Sequence, residues 1–246
     1  MRLLIVNGWS ASSQLWASFI ENLPAGIDAK VIDLDRCRSL ESWREVIDSN
    51  VDHNTLLMGW SLGGMLAIDY AASTDKHLVG LCTLQTNPSF VLRQGWEHAM
   101  SQGAFEQFYS LTERGSQSDL IRQFSHMLVA GSHAYKADKR QLQGLYNELT
   151  LAEPQVLRSG LELLRDLDLR RALVKLRLPG LHLFGGGDVL VPPSVSTVVQ
   201  LLAPRHTVRV IMGMGHLPCL THQAEIGAQL VSLLTNATRA SDRDKS

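Results

Sequence analysis

Leu56-Leu57-Met58-Gly59-Trp60-Ser61-Leu62-Gly63-Gly64 sets a serine between two glycines, where an apolar run gives way to a helix-like stretch of small residues. Gly-x-Ser-x-Gly is the spacing of a nucleophile elbow, a tight strand-to-helix turn that strains the serine backbone and lifts its Oγ clear of a sheet. Glycines two residues either side give the chain room to fold so sharply. The pattern fixes only three positions, so its meaning depends on the rest of the chain.

Upstream, Arg2–Val6 is a short apolar run ending in Asn7-Gly8, which predicts a buried parallel strand feeding a loop. Leu15, Trp16, Phe19 and Ile20 recur at helical spacing before Pro24-Ala25-Gly26, and Ala29–Leu34 predicts the next strand. Ser39 predicts the cap of a helix carrying Trp43, Val46 and Ile47 on one face, after which Thr55–Met58 leads to Ser61. Downstream, Leu62–Ala72 reads as a buried helix and Leu78–Leu84 as a fourth strand; Leu178–Phe184 and Thr207–Met212 are two more. Strands alternating with helices predict an α/β fold, a mostly parallel sheet of about six strands covered on both faces. A ligand site is then expected at the carboxyl ends of the strands.

From 87 to 165 the alternation stops. Helices are predicted near Leu92–Met100, Phe105–Thr112, Leu120–Val129, Tyr135–Leu149 and Pro154–Leu164, forming a helical lid inserted between core segments 1–86 and 166–236. Residues 237–246 are polar and charged, with nothing to bury, and are expected to stay unstructured.

The chain has 246 residues, 45% hydrophobic and 19% charged, with a formal net charge of -1, which fits a soluble globular chain and provides no global basic field for nucleic acid. No apolar run approaches the roughly 18 residues of a membrane span, and Arg2 leads straight into a strand, so a cytoplasmic protein is expected. Cys37, Cys82 and Cys219 are odd in number and form no C-x-x-C pair, which predicts reduced thiols and no zinc or redox site. Cys219 lies near His216 but has no elbow of its own.

A serine hydroxyl is a poor nucleophile at neutral pH and needs a base within hydrogen-bond reach, itself held by a carboxylate. Asp188 follows an apolar strand in Gly185-Gly186-Gly187, and His216 follows the next strand in Gly213-Met214-Gly215. Ser61, Asp188 and His216 thus come from strand ends on one edge, in the order nucleophile, acid, base. His53, His77, His182, His206 and His222 do not follow a strand end after the acid. An oxyanion hole is expected from two backbone N–H groups, those of Leu62 at the helix start and of Trp9 in the loop after the first strand.

Gly8-Trp9, Gly59-Trp60-Ser61-Leu62-Gly63-Gly64, Asp188 with Val191-Pro192, and Gly215-His216-Leu217-Pro218 together resemble the α/β-hydrolase superfamily. Within it, the elbow, Asn87-Pro88-Ser89-Phe90 and the stretch from Gly160 to Arg170 resemble the pimeloyl-(acyl-carrier protein) methyl ester esterases of biotin synthesis. The resemblance implies hydrolysis of the methyl ester of a pimeloyl chain on acyl carrier protein, with no metal or organic cofactor; a monomer is expected. It also implies that Phe124, Ser125, His126, Met127 and Leu128 line the acyl channel and that Trp9 borders the reacting ester; with Ser61, Leu62 and His216 these are the candidate substrate-binding residues. Carrier protein is acidic, so Arg122, Lys136, Lys139 and Arg140 are candidates for its docking surface. The sequence departs from the pattern in starting at the strand before the oxyanion loop, without the usual antiparallel hairpin, and in carrying Asn7 where a histidine is usual. The same motifs also admit a general short-chain carboxylesterase with no carrier-protein preference, or a ligand-binding module without turnover.

Overall fold

Six strands pair side by side, all parallel, in the order β2-β1-β3-β4-β5-β6. They are β1 (Arg2–Val6), β2 (Asp28–Ile32), β3 (Thr55–Trp60), β4 (Gly80–Leu84), β5 (Gly180–Gly185) and β6 (Thr207–Ile211). The computed structural model describes residues 1–33, 37–112, 117–148, 153–218 and 221–243. Every residue of β3, β4 and β5 is buried, because helices cover both faces; the edge strands β2 and β6 are largely open to solvent, each with its last residue buried.

The helices between strands are α1 (Ala17–Glu21, preceded by a 3-10 turn over Ser13–Trp16), α2 (Leu40–Asn50) and α3 (Leu62–Ser73). Ser39 caps α2 through its side chain to the Ser42 N–H, and Trp43 and Ile47 face the core. Among the described residues, four helices lie between β4 and Asp166: α4 (Gln102–Tyr109), α5 (Gln117–Val129), α6 (Tyr135–Glu148) and α7 (Pro154–Asp166). Then come α8 (Arg170–Lys175), α9 (Val195–Leu202) and α10 (Gln223–Arg243). Pro154 starts α7 where its missing N–H costs nothing, and Leu157, Leu161 and Leu164 form its buried stripe.

Two expectations fail. Leu92–Met100 is not a helix: Val91 and Met100 form a bridge, Arg93 and Trp96 another, with Gly95 left-handed at φ 69° in the tight turn. The Asn87 and Ser89 oxygens both accept from Trp96 Nε1, at 3.0 Å each, so side-chain bonds hold this loop where helical ones were expected. At the other end, α10 runs on to Arg243, so residues 237–243 extend a helix begun by Ile226 and Leu230 against the core.

Strand order reverses between β1 and β3, where chain connections leave in opposite directions. In open parallel sheets that switch point opens a crevice at the carboxyl ends. Trp9 follows β1 and Ser61 follows β3, so both stand at its rim.

Candidate active site

Ser61 joins β3 to α3 with φ 54° and ψ -119°, a left-handed conformation that a serine adopts only under constraint. Its N–H donates to the Leu84 carbonyl at 2.9 Å, fixing the turn to β4. The flanking glycines are required by contact: a Cβ on Gly63 would lie 2.1 Å from the Val6 carbonyl oxygen, and one on Gly59 2.3 Å from that of Gly63. Any side chain at either position would force the elbow open.

Asp188 and His216 reach the serine from two glycine-rich turns. His216 Nε2 is 2.9 Å from Ser61 Oγ, and His216 Nδ1 is 2.7 Å from Asp188 Oδ2. Asp188 Oδ1 accepts the N–H groups of Leu190 and Val191 at 2.8 and 2.9 Å, so the carboxylate is fully engaged and cannot rotate away. Asp188 and His216 are both buried, and Trp60 Nε1 donates to the His216 carbonyl at 2.8 Å. A carboxylate that accepts from Nδ1 leaves Nε2 free to take a proton from the serine.

The loop after β1 is braced by Asn7, whose Oδ1 accepts from Gly8 N–H at 3.1 Å and Trp16 Nε1 at 3.0 Å while its Nδ2 donates to Asp33 at 2.9 Å. Asparagine therefore does here, with one acceptor and one donor, the work of shaping the loop that carries Trp9. The Trp9 indole donates to the Leu157 carbonyl at 2.7 Å, and its ring meets Phe124 edge-on at 4.7 Å. Leu62 opens α3, where its N–H faces no helical acceptor and the helix dipole favours negative charge.

Beyond Ser61 runs a slot between the sheet and helices α4, α5 and α7, walled by Trp9, Phe90, Phe105, Phe124, Met127 and Leu164 among other apolar side chains. Its volume is ≈ 20 Å³, room for about one water molecule. A longer apolar group would enter only if the side chains walling it parted. A larger groove of ≈ 1080 Å³, lined by Trp96, Arg170, Lys175 and Leu201, contains none of the three polar residues above.

A sequence profile of the alpha/beta hydrolase family matches residues 3–229. The chain belongs to the alpha/beta hydrolase family. It is 26% identical over 241 residues to a pimeloyl-(acyl-carrier protein) methyl ester esterase of Salmonella paratyphi A, covering 94% of this chain and 93% of that protein. To the biotin biosynthesis bifunctional protein BioHC of Teredinibacter turnerae it is 29% identical over 264 residues, covering 99% of this chain but 46% of that protein, so it spans about half the bifunctional protein's length. Among solved structures, a bromoperoxidase from Bacillus anthracis superposes with a TM-score of 0.83 at 17% identity, over 95% of this chain and 91% of that one. That likeness is one of fold.

Of the five lid residues expected to line the channel, the hydrolase places two on the slot, Phe124 and Met127. Successive residues of a helix point about 100° apart, so five in a row cannot share one wall. Ser125 turns back to donate to the Ile121 carbonyl at 2.7 Å, and His126 is exposed beside Tyr135. Leu128 is buried with its carbonyl accepting from Leu217 N–H at 3.1 Å, which ties α5 to the residue after His216. Phe90, Met100, Phe105, Phe108, Leu161, Leu164 and Leu190 line the slot without having been singled out as binding residues. Their periodicity announces burial and is silent about which surface they bury.

Arg122 is exposed and paired with Asp119 at 2.8 Å, and Lys139 stands over the Tyr135 ring at 5.7 Å. Lys136 and Arg140 lie one turn apart on α6, both exposed. Cys219 falls outside the described residues. Among those described, no group of three or more His, Cys, Asp or Glu side chains is placed to hold a metal, and no helix is long and apolar enough to cross a membrane.

Proposed function

We propose that this chain is a serine carboxylesterase that hydrolyses the methyl ester of a pimeloyl chain carried on acyl carrier protein, releasing methanol and a free carboxylate. The observation that carries the chemistry is the 2.9 Å approach of His216 Nε2 to Ser61 Oγ at the mouth of an apolar slot. Ser61 attacks the ester carbonyl as His216 takes its proton; Asp188 stabilises the imidazolium; the N–H groups of Trp9 and Leu62 receive the oxyanion. The proton then passes from His216 to the departing methoxide. Water, activated by the same imidazole, cleaves the acyl-enzyme.

The lining supports an uncharged ester as substrate. Among the described residues walling the slot, Ser61 is the one with a hydroxyl or charge, and no cation is there to hold a carboxylate. An ionised acid would be desolvated in it without a partner, so the product leaves and the diacid itself is refused. The name of the Salmonella relative supports the pimeloyl chain, and Lys136 and Arg140, with Arg122 and Lys139 near them, supply positive charge for an acidic carrier.

Methanol release is to be measured from carrier-bound and from free pimeloyl methyl ester, with Ser61→Ala as control. The proposal expects kcat/KM to be higher for the carrier-bound ester and abolished by the substitution. Equal efficiency on both would identify a general carboxylesterase. Hydrolysis undiminished in Ser61→Ala would overturn the serine mechanism itself.

A further inference from the structure

Gln85 is fully buried, and neither its Oε1 nor its Nε2 meets a hydrogen-bond partner among the described residues. Its backbone is left-handed as well, at φ 43°. Ser10, Ser61 and Gln85 are the non-glycine residues with positive φ among those described, and all three lie at the carboxyl edge of the sheet, after β1, β3 and β4. A buried amide with unmet bonding capacity and a strained backbone are each unfavourable, and they persist together where function requires them.

Strand order gives the position its meaning. β4 lies between β3, which delivers Ser61, and β5, which leads to Asp188. Ser61 N–H donates to the Leu84 carbonyl at 2.9 Å, and Gln85 N–H donates to the Leu183 carbonyl at 2.8 Å, so Gln85 is clamped between the two strand ends. Adjacent strands stand about 4.8 Å apart, and His216 reaches from Ser61 on one side of β4 to Asp188 on the other. The end of β4, where Gln85 sits, therefore lies between the two strand ends that His216 bridges. Asp188 is the charged group bonded to His216, and its Oδ1 is already committed to two backbone amides. Trp60 packs against the ring at 5.9 Å and offers no charge.

We propose that Gln85 is a positioning residue for His216, its buried amide dipole stabilising the imidazolium formed when Ser61 gives up its proton. The inference rests on the serine mechanism proposed above. A residue needed here only for packing would be apolar, as its neighbours Leu84 and Phe184 are.

Gln85→Met keeps the length of the side chain and removes the amide; Gln85→Glu keeps the shape and adds a charge. NMR titration of the His216 imidazole in the resting protein reads the effect without turnover. The Met variant is expected to move the midpoint to lower pH and the Glu variant to higher pH, because one withdraws and the other strengthens support for the cation. With p-nitrophenyl acetate, kcat of the Met variant is expected to fall about ten- to hundredfold with little change in KM. Its thermal midpoint should hold or rise, since an orphaned amide is gone. Each variant tests the proposal by itself should the other fold poorly. An unmoved imidazole titration in whichever variant folds, or wild-type kcat in Gln85→Met, would overturn it. If wild-type protein is not labelled at Ser61 by a fluorophosphonate, the serine mechanism fails; if it is labelled but the titration does not move, only the role of Gln85 does.

Discussion

His182 Nε2 lies 2.9 Å from His206 Nδ1 in a bond sealed from solvent, and Thr83 Oγ1 closes the other side of His182 at 2.7 Å from Nδ1. Burial, and secondarily the neighbouring His206, push the pKa of His182 down to about 3; burial lowers that of His206 too. Both rings are thus neutral in the folded protein at pH values where the unfolded chain binds protons. Their contribution to stability is complete above about pH 6.5 and is lost progressively as pH falls toward 3. At pH 5 the loss from His182 alone comes to about 2 kcal/mol. His182→Gln keeps hydrogen-bonding capacity without a proton to gain, so urea midpoints compared between pH 7 and pH 5 should fall less in the variant. Parallel pH dependence in the two proteins would exclude His182 as the source.

Asp188→Asn should abolish turnover without disturbing the fold. The oxygen of the introduced amide would take the place of Oδ1, accepting from Leu190 and Val191, and its nitrogen would then donate to His216 Nδ1. That bond forces the proton onto Nε2, where it faces Ser61 Oγ and leaves no base. A fall in kcat of about 10⁴ is expected, with an unchanged thermal midpoint or nearly so. A loss under about tenfold would show that another carboxylate serves His216.

What could be read from the sequence follows from how local each cause is. β1, β3, β4 and β5 are apolar runs stopped by glycine or a polar turn, and their covered faces come with the α/β alternation. Leu92 and Trp96 have helical spacing too, but Gly95 and the bonds from the Trp96 indole to Asn87 Oδ1 and the Ser89 carbonyl prevail there, and those bonds have no periodic signature. Ser61, Asp188 and His216 stand out because each follows a strand end. The slot does not, because Phe105, Phe108, Leu161 and Leu164 look like any buried helix face until the lid is docked. The orphaned amide of Gln85 and the pairing of His182 with His206 depend on strand order, which pattern alone does not give.

Gly160→Ala is expected to harm the protein, against the ordinary helix preference. In an exposed helix interior the change stabilises by about 1 kcal/mol. Here the new Cβ would lie 2.5 Å from Trp9 Cδ1 and 3.1 Å from Nε1, on a ring already held by its bond to the Leu157 carbonyl. Displacing that ring shifts the loop whose N–H is proposed to meet the oxyanion. Calorimetry should give a lower thermal midpoint, and kcat on p-nitrophenyl acetate should drop by about tenfold. A raised midpoint with full activity would show that Trp9 adjusts freely.

Leu164→Trp should separate chain length from chemistry. Leu164 lies four residues beyond Gly160 on α7, about 6 Å further from Trp9 along the helix axis, and it walls the slot. The cavity there is already only ≈ 20 Å³, so an indole cannot be absorbed without blocking the path proposed for an acyl chain. Overpacking of this kind costs about 1 to 3 kcal/mol, which leaves a folded protein to assay. Ser61, His216 and Asp188 are untouched, so acetyl ester hydrolysis should stay near its original rate while the seven-carbon ester loses most of its kcat/KM, chiefly through KM. Equal losses on short and long esters would mean that the chain does not run past α7, and that the slot is packing between lid and core.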